Sequence, residues 1–290
     1  MRIGVVFPQT EIGADPGGVR AYAAAVTDLG YRHILAYDHV VGADPAVHHG
    51  WQGPYDIHST FHEPMVLYGY LAALTPLELV TGVLVLAQRQ TVLVAKQAAE
   101  VDLLTGGRFR LGVGIGWNAV EYEALGTDFS TRGARLGEQI ELMRRLWTED
   151  TVTFDGRQHT VTGAGIAPPP VQRPIPVWVG ASSPPALRRA GRLADGWFPQ
   201  AQPGPKLDEA IRLVHLAAED AGRDPATLGM EGRIDVTPGN VDALAARAAA
   251  WREVGATHLS LNTMRAGFAT VDDHIAALAG AAGVLINRTG

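Results

Sequence analysis

The chain has 290 residues, 47% of them hydrophobic, so it is long and apolar enough for one large domain or two small ones. Its formal net charge of -6 argues against nucleic-acid binding, and its lack of cysteine excludes disulfides, thiolate zinc sites and cysteine nucleophiles. No apolar run approaches the ~18 residues of a membrane span, and the first apolar run is too short for a signal peptide, so we expect a soluble cytoplasmic protein.

Short β-rich segments alternate with longer helical segments along the chain. Each predicted strand and the helix after it are, in order, 2–7 and 17–29, 32–37 and 63–74, 77–86 and 91–104, 108–116 and 131–147, 175–180 and 184–192, 194–198 and 204–221, 227–234 and 240–253, and 256–262 and 271–286. Nearly continuous apolar strands joined by helices indicate a parallel sheet covered on both faces. Eight such units predict an α/β fold, a (β/α)8 TIM barrel, with an open doubly wound sheet as the alternative.

Two segments exceed what a minimal barrel requires. They are the irregular loop 38–62 and the stretch 150–174, where a hairpin is predicted around Asp155-Gly156 and is followed by a proline-rich connection. No change in composition marks a second domain. We therefore expect a single domain over residues 1–290 with insertions at about 38–62 and 150–174.

The first candidate site lies in "ILAYDHVVG", residues 34–42. Asp38 and His39 come at the C-terminal end of the second predicted strand, and the C-terminal ends of barrel strands carry the catalytic groups of TIM-barrel enzymes. A loop cap made by Asp38, with His39 on the surface, explains the pair equally well. Position in the sequence leaves both interpretations open.

The fourth predicted strand, in "RFRLGVGIGWN", carries three glycines. Gly112, Gly114 and Gly116 are spaced by two, so they lie on one face of the strand. Such a face suits either a flat ligand or tight packing inside a barrel. The spacing does not match the dinucleotide fingerprint, so we reject a Rossmann nicotinamide site. Trp117 follows directly and either forms the wall of a planar ligand site or packs under a loop.

The segment "PVWVGASSPPALRRAG" predicts an anion site. Gly180, Ala181, Ser182 and Ser183 lie between a strand and a helix that starts with two prolines. A serine here is a good N-cap, which is the purely structural explanation. Free N–H groups, hydroxyls and the helix dipole also favour phosphate, and barrel enzymes often bind phosphate on late strand–helix loops.

Two further features are less specific. Gly82 inside the third strand indicates a bulge or a close backbone approach, and Arg89 after it is either an anion ligand or an ordinary solvated residue. Five of the ten histidines lie in the loop 38–62, namely His39, His48, His49, His58 and His62. Apart from the weak His58/His62 pair, their spacing does not match a helical zinc site, so we expect no metal.

Taken together, these segments resemble the bacterial luciferase-like monooxygenase superfamily, and in particular its coenzyme F-420 (deazaflavin)-dependent oxidoreductase branch. The resemblance is carried by Asp38-His39 and by residues 81–126, 135–147 and 176–199, and it covers most of residues 1–200. It implies a TIM barrel that binds a flavin or deazaflavin at its C-terminal mouth. It also implies a homodimer.

The resemblance further implies roles for individual residues. Asp38 and His39 would line the ring with His39 at its reacting edge, and the Gly82-Val83 peptide would be cis and press on one ring face. Trp117 stands where some relatives carry a catalytic Glu. The implied catalytic residues are His39, Asp38 and Trp117. The implied cofactor-binding residues are Asp38, His39, Gly82, Val83, Val85, Gly116, Trp117, Val120, Gly180, Ala181, Ser182, Ser183, Ala194, Gly196 and Trp197.

The function expected from this resemblance is hydride transfer between a small organic substrate and coenzyme F-420. One alternative is an FMN-dependent monooxygenase that uses reduced flavin and oxygen, and another is a flavin- or deazaflavin-binding protein without catalysis. A lyase or aldolase would need a lysine at a strand end, whereas Lys96 and Lys206 both lie in helical segments. The loop 38–62 is expected to act as a lid.

Overall fold

The computed structural model describes residues 1–286 and, at Asp242, the backbone alone. Its central element is a closed ring of parallel strands surrounded by helices, which confirms the predicted α/β TIM barrel and excludes the open doubly wound sheet. Pairing runs in the order β3-β2-β1-β11-β10-β9-β8-β5, and a further pairing of β3 with β5 closes the ring.

The strands agree with the sequence prediction to within a few residues. They are β1 (Arg2–Val6), β2 (His33–Ala36), β3 (Glu78–Thr81), β4 (Leu84–Val85), β5 (Phe109–Gly114), β6 (Val152–Asp155), β7 (Thr160–Ala164), β8 (Val177–Ala181), β9 (Gly196–Pro199), β10 (Gly229–Asp235) and β11 (His258–Asn262). The α-helices of the described residues are α1 (Pro16–Asp28), α2 (Pro64–Leu71), α3 (Thr91–Thr105), α4 (Ala119–Ala124), α5 (Arg132–Thr148), α6 (Pro184–Leu193), α7 (Pro205–Glu219), α8 (Leu244–Glu253) and α9 (Val271–Leu285).

The third barrel position is a strand in two pieces. The sequence pattern predicts one strand over 77–86, but β3 ends at Thr81 and β4 begins at Leu84. Between them the peptide bond from Gly82 to Val83 is cis, as the resemblance implies. Both pieces pair with β5, so the interruption turns residues 82–83 toward the barrel axis without opening the ring.

The interior of the barrel contains a buried ionic network at some distance from the mouth. Glu231 of β10 accepts hydrogen bonds from His33 Nε2 at 2.9 Å, from Arg110 Nη1 at 2.6 Å and from the Ser260 hydroxyl. The Arg110 guanidinium also lies 4.2 Å from the ring centroid of Trp178. The apolar core lies mainly between the outer face of the barrel and the helices, where the nearly continuous apolar strands bury their second face.

The two insertions differ in kind. The loop 38–62 contains neither helix nor strand and lies over the C-terminal mouth. The stretch 150–174 contains the predicted hairpin, formed by β6 and β7. The hairpin packs on α5, where Glu138 accepts hydrogen bonds from the backbone of Arg157 and Gln158 and from His159 Nδ1. None of the described helices is both long and apolar enough to cross a bilayer.

Candidate functional site

A cavity of about 500 Å3 opens at the C-terminal mouth of the barrel. Its wall is assembled from the ends of β2, the β3–β4 interruption, β5, β8 and β10, which is where TIM-barrel enzymes place their active sites. The predicted site residues that line it are Asp38, His39, Gly82, Val83, Val85, Gly116, Trp117, Gly180, Ala181 and Ser182. Most of the predicted site therefore comes together at one place.

The glycines at and just after the end of β5 make room first for the neighbouring strand. Gly116, predicted within the strand, lies after its end with a φ of 63°. A Cβ on Gly114 would lie 2.6 Å from Val83 Cγ2, and one on Gly116 would lie 2.6 Å from Val85 Cγ1. Gly180 on β8 faces Val83 as well, with 3.0 Å between an added Cβ and Val83 Cγ1. These glycines therefore do not leave space for a flat ligand directly. They let Val83 and Val85 turn into the barrel mouth, and Val83 then forms the floor of the cavity.

Asp38 is a buried anchor for this floor. Its Oδ2 accepts a hydrogen bond from the Val85 N–H at 2.8 Å, and its Oδ1 accepts one from Arg89 Nη2 at 2.7 Å. Burial raises the pKa of this carboxyl, while the Arg89 charge acts in the opposite direction. Arg89 also binds Glu63 at 2.9 Å, so it is neither a free anion ligand nor a solvated residue as its position in the sequence suggested. Asp38 fixes β2 to β4.

His39 is paired with a buried carboxylate. Glu121 Oε2 accepts a hydrogen bond from His39 Nδ1 at 3.2 Å, and Glu121 Oε1 accepts one from the Val40 N–H. Burial alone would raise the pKa of Glu121, but these hydrogen bonds and the nearby imidazole outweigh it and lower the pKa. Because a carboxylate can only accept, Nδ1 carries the proton and Nε2 is the basic nitrogen of the neutral ring.

Aromatic rings surround His39 on the side of the loop 38–62. Its ring centroid lies 4.8 Å from that of Phe61, 5.2 Å from Tyr55 and 5.4 Å from Trp117. Trp117 in turn contacts Trp51 at 5.7 Å and remains 40% exposed, which is unusual for so large an apolar side chain. The predicted lid therefore contributes an apolar wall, and Trp117 is available to a ligand in the cavity.

The start of α6 borders the same cavity through Ala181 and Ser182. Ser183 is the N-cap residue, yet its side chain makes no capping hydrogen bond. Pro184 and Pro185 remove two N–H donors from the first turn, so an anion here would rely on the serine hydroxyls and the remaining N–H groups. The arrangement suits a phosphate, because the hydroxyls are not used in capping.

Five predicted site residues do not line the cavity. Val120 is in the first turn of α4, and Ser183 follows the residues that border the cavity. Ala194 is the C-cap residue of α6 and Gly196 starts β9 at the barrel end opposite the mouth, and Gly196 is packed against Trp178. Trp197 lines another cavity, between α6 and α7, which shares Ala181, Ser182 and Gln200 with the first. The β9 residues do not line the cavity because β9 runs toward the mouth and reaches it only at Pro199 and Gln200.

Several lining or supporting residues were not predicted from the sequence, among them the following four. Tyr37, Gln200 and Arg233 line the cavity, and Glu121 supports His39 from behind. Arg233 donates to the Tyr37 hydroxyl at 3.0 Å, and burial raises the Tyr37 pKa to about 12. Asn118 three residues before Glu121 is a helix-start signal that could have revealed α4 and its buried carboxylate.

Comparison with known proteins gives one family. The model of the family described as "Luciferase-like monooxygenase" matches residues 1–284. An uncharacterized protein of Mycobacterium tuberculosis is 40% identical over 164 residues, or 56% of each chain. The F420-dependent hydroxymycolic acid dehydrogenase of the same species is 32% identical over 86% of this chain and 66% of its own length. The phthiodiolone/phenolphthiodiolone dimycocerosates ketoreductase of Mycobacterium kansasii is 31% identical over 74% of this chain and 63% of its own. The matches thus leave a third or more of each relative uncovered.

Solved structures share the fold at low identity. The monooxygenase RslO1 of Streptomyces bottropensis superimposes with a TM-score of 0.79 at 19% identity and covers 100% of both chains. An F420-dependent secondary alcohol dehydrogenase, solved with an F420-acetone adduct, gives a TM-score of 0.77 at 18% identity and covers 97% of this chain and 98% of its own. These likenesses establish the barrel architecture.

Proposed function

Because this chain belongs to the luciferase-like monooxygenase family, we propose that it is an oxidoreductase that transfers a hydride between a small organic substrate and coenzyme F-420. One observation carries the proposal. The cavity at the barrel mouth has a floor of backbone and small side chains at Gly82, Val83 and Gly114, and a histidine held by a buried carboxylate at its edge. A flat ring fits such a floor, and a histidine beside it can exchange a proton with a substrate oxygen.

The residues present fit a deazaflavin that carries a phosphate. The cavity volume of about 500 Å3 is within the range of cofactor and ligand pockets. Gly180, Ala181 and Ser182 would hold the phosphate at the start of α6, and Trp117 would cover the ring from the lid side. The Val83 side chain would support the opposite ring face.

When bound, the deazaflavin supplies a carbon that accepts or donates a hydride. The protein's own contribution is orientation and proton transfer. His39 Nε2 would take the proton from a substrate hydroxyl during oxidation, or protonate the carbonyl oxygen during reduction. Glu121 would keep Nδ1 protonated and stabilise the imidazolium that forms. The aromatic wall would exclude water from the reacting atoms.

The substrate class that we propose is a secondary alcohol or the corresponding ketone. The printed names of similar proteins support this class, because one is a dehydrogenase of a hydroxy acid, one a ketoreductase and one a secondary alcohol dehydrogenase. A single histidine base beside the ring is sufficient for this interconversion, since only one proton moves with each hydride.

An FMN-dependent monooxygenase is the second candidate. It is favoured by the high TM-score to a monooxygenase, and the same cavity would accept an FMN ring and phosphate. This candidate requires that reduced FMN bind and that oxygen be consumed together with substrate. A protein that binds the deazaflavin without catalysis would bind it and show no turnover.

The proposal is tested by anaerobic turnover. Reduced F-420 is mixed with a panel of ketones, and oxidised F-420 with the matching alcohols, and the absorbance of the oxidised deazaflavin is followed. We expect turnover that falls about 10²- to 10⁴-fold in His39→Ala with F-420 affinity retained, while exposed His49→Ala in the same loop has no effect. Oxygen-dependent turnover with reduced FMN, and none with F-420, would reverse the order of the two candidates.

A further inference from the structure

A second cavity of about 340 Å3 adjoins the first at the barrel mouth. The two share Tyr37, Tyr55 and Arg233, so a ligand in one can extend into the other. The second cavity lies over the ends of β10 and β11 and is bordered by a second arginine, Arg265. It is lined by groups that bind polar ligands.

Arg233 is a barrel arginine that no described carboxylate contacts directly, and Asp235 acts on it only electrostatically. Arg89 and Arg110, which also project from the barrel, are each neutralised by carboxylates at 2.6 to 3.3 Å. Arg233 donates one hydrogen bond to the Tyr37 hydroxyl, and among the described side chains no carboxylate is within salt-bridge distance of it. It is exposed to the cavity, so most of its N–H donors are free to meet a ligand.

Arg265 faces the same cavity from the loop after β11. Its backbone has a φ of 59°, a left-handed conformation that costs a residue other than glycine about 1–2 kcal/mol. Its N–H donates to Glu11 Oε1 at 2.6 Å, which holds that conformation. Its guanidinium lies 4.7 Å from the Tyr55 ring centroid and donates to the Pro54 carbonyl at 2.5 Å, and it too lacks a carboxylate partner within the described part of the chain.

The charges around this cavity favour an anion. Two guanidiniums border it, and one carboxylate, Asp235, is bound to Asn262 Nδ2 at 2.8 Å. Thr237 adds a hydroxyl to the lining, whereas the Thr10 hydroxyl donates to Met264 Sδ at 3.4 Å. We infer that this cavity binds a carboxylate or phosphate group of the substrate, so that the proposed alcohol or ketone is an anionic molecule. Guanidinium groups recognise both anions through paired hydrogen bonds. The inference rests on the proposed function for the identity of the adjoining ring site.

Coenzyme F-420 itself carries a phosphate and a glutamate tail, and these are the other source of an anion. The geometry favours the substrate. The candidate phosphate site lies after β8 at Ala181 and Ser182, whereas Arg233 lies on β10 and Arg265 follows β11, so β9 separates the two sites. His39, which would face the reacting carbon, lines the ring cavity that opens into this one.

The test uses inorganic phosphate as the probe. Phosphate binding to the F-420-loaded protein is measured by calorimetry for the wild type, Arg233→Gln, Arg265→Gln and the double variant. Arg252→Gln, an exposed arginine on α8, is the matched control. In parallel, each variant is titrated with F-420 and with its chromophore that lacks phosphate and glutamate.

We expect each single variant to weaken phosphate binding about tenfold or more, the control to match the wild type, and F-420 affinity to stay within twofold throughout. Phosphate affinity that is unchanged in the double variant overturns the inference. Loss of affinity for F-420 but not for the bare chromophore also overturns it, because the arginines would then hold the cofactor tail. A wild-type protein that binds no F-420 contradicts the proposed function instead, and the phosphate titration is then read on the unloaded protein.

Discussion

The residue with the greatest consequence at the barrel mouth is Glu121, because it binds both the His39 ring and the Val40 backbone. It accepts from the Val40 N–H and from His39 Nδ1, and its side chain is only 1% exposed. A carboxylate in this position can only accept hydrogen bonds, so it selects the tautomer in which Nε2 is the base. Asp38, although adjacent in sequence to His39, has a different role as the anchor of β4.

Glu121→Gln should reduce kcat far more than it changes binding. The amide keeps the size of the side chain but can place an N–H opposite His39 Nδ1, which favours the opposite tautomer. We expect kcat to fall about 100-fold or more, with KM and the F-420 dissociation constant within about threefold. Glu123→Gln on the exposed face of the same helix is the control. Equal losses in kcat/KM and in F-420 affinity would instead indicate a structural role.

Gly114→Ala tests the floor of the cavity. The new Cβ would lie 2.6 Å from Val83 Cγ2 and force that side chain toward the cavity. We expect a loss of about 1–3 kcal/mol in the free energy of unfolding and at least tenfold weaker F-420 binding. Gly69→Ala in α2, where an added Cβ meets nothing within 4 Å, should affect neither. Unchanged F-420 binding in Gly114→Ala would remove Val83 from the proposed site.

At the scale of elements, the insertion 150–174 stabilises the outside of the barrel and does not contribute to the mouth. Its hairpin, β6 and β7, is tied to α5 by Glu138, and none of its residues lines the two cavities at the mouth. His159 is in addition hydrogen-bonded to Thr91 at the start of α3, with 2.6 Å between Nε2 and Oγ1. The insertion therefore joins two outer helices.

Glu138→Ala should loosen the hairpin and leave the site intact. It removes the acceptor of three hydrogen bonds, from Arg157, Gln158 and His159. We expect the free energy of unfolding to fall by about 1–2 kcal/mol and proteolysis in the hairpin to become faster, with F-420 affinity unchanged. Glu141→Ala, exposed on the same helix, is the control. A large loss of F-420 affinity would show that the hairpin acts on the mouth.

Element order was predictable from the sequence because eight apolar strands alternate with amphipathic helices, and that pattern is local. The break in the third strand was not visible in the pattern, since 77–86 reads as one continuous apolar run, and only the resemblance indicated it. Helix α4 was missed because it has six residues, too few for a periodic signal. Arg233 was missed for another reason, because its place at the mouth depends on the closure of the ring.

At the scale of the whole molecule, the barrel combines an apolar outer core with a charged interior. His258 lies beside Trp178 and His33 in that interior, with ring centroids 5.0 and 5.9 Å away. Burial, together with the Arg110 charge, lowers the pKa of His258 to about 3. His258 therefore stays neutral in the folded protein over a wide pH range, whereas in the unfolded chain its pKa has the ordinary value of 6.5.

This difference predicts a loss of stability in mild acid. Because the pKa of His258 is lower in the folded state, its contribution is present above about pH 6.5 and is lost as the pH falls toward 3. Between pH 7.5 and about 5, we expect the free energy of unfolding, measured with denaturant, to fall by about 2 kcal/mol. The fall should be smaller in His258→Asn. His49→Asn, in the exposed loop, should retain the wild-type slope. A slope equal in all three proteins would contradict the assignment to His258.

The homodimer expected from the resemblance stays a prediction at this scale. Sedimentation of the purified chain, with and without F-420, distinguishes a dimer from a monomer. A monomer at all accessible concentrations would contradict the prediction without affecting the site, because every group that we assign to the ring cavity comes from this one chain.

The proposed function depends most directly on which ring the cavity selects. The measurement is an equilibrium titration of the purified, ligand-stripped protein with F-420 and, separately, with FMN, followed by quenching of tryptophan fluorescence. We expect saturable binding of one F-420 per chain, with a dissociation constant at least about tenfold lower than that of FMN. Tight binding of FMN together with no saturable binding of F-420 would contradict it.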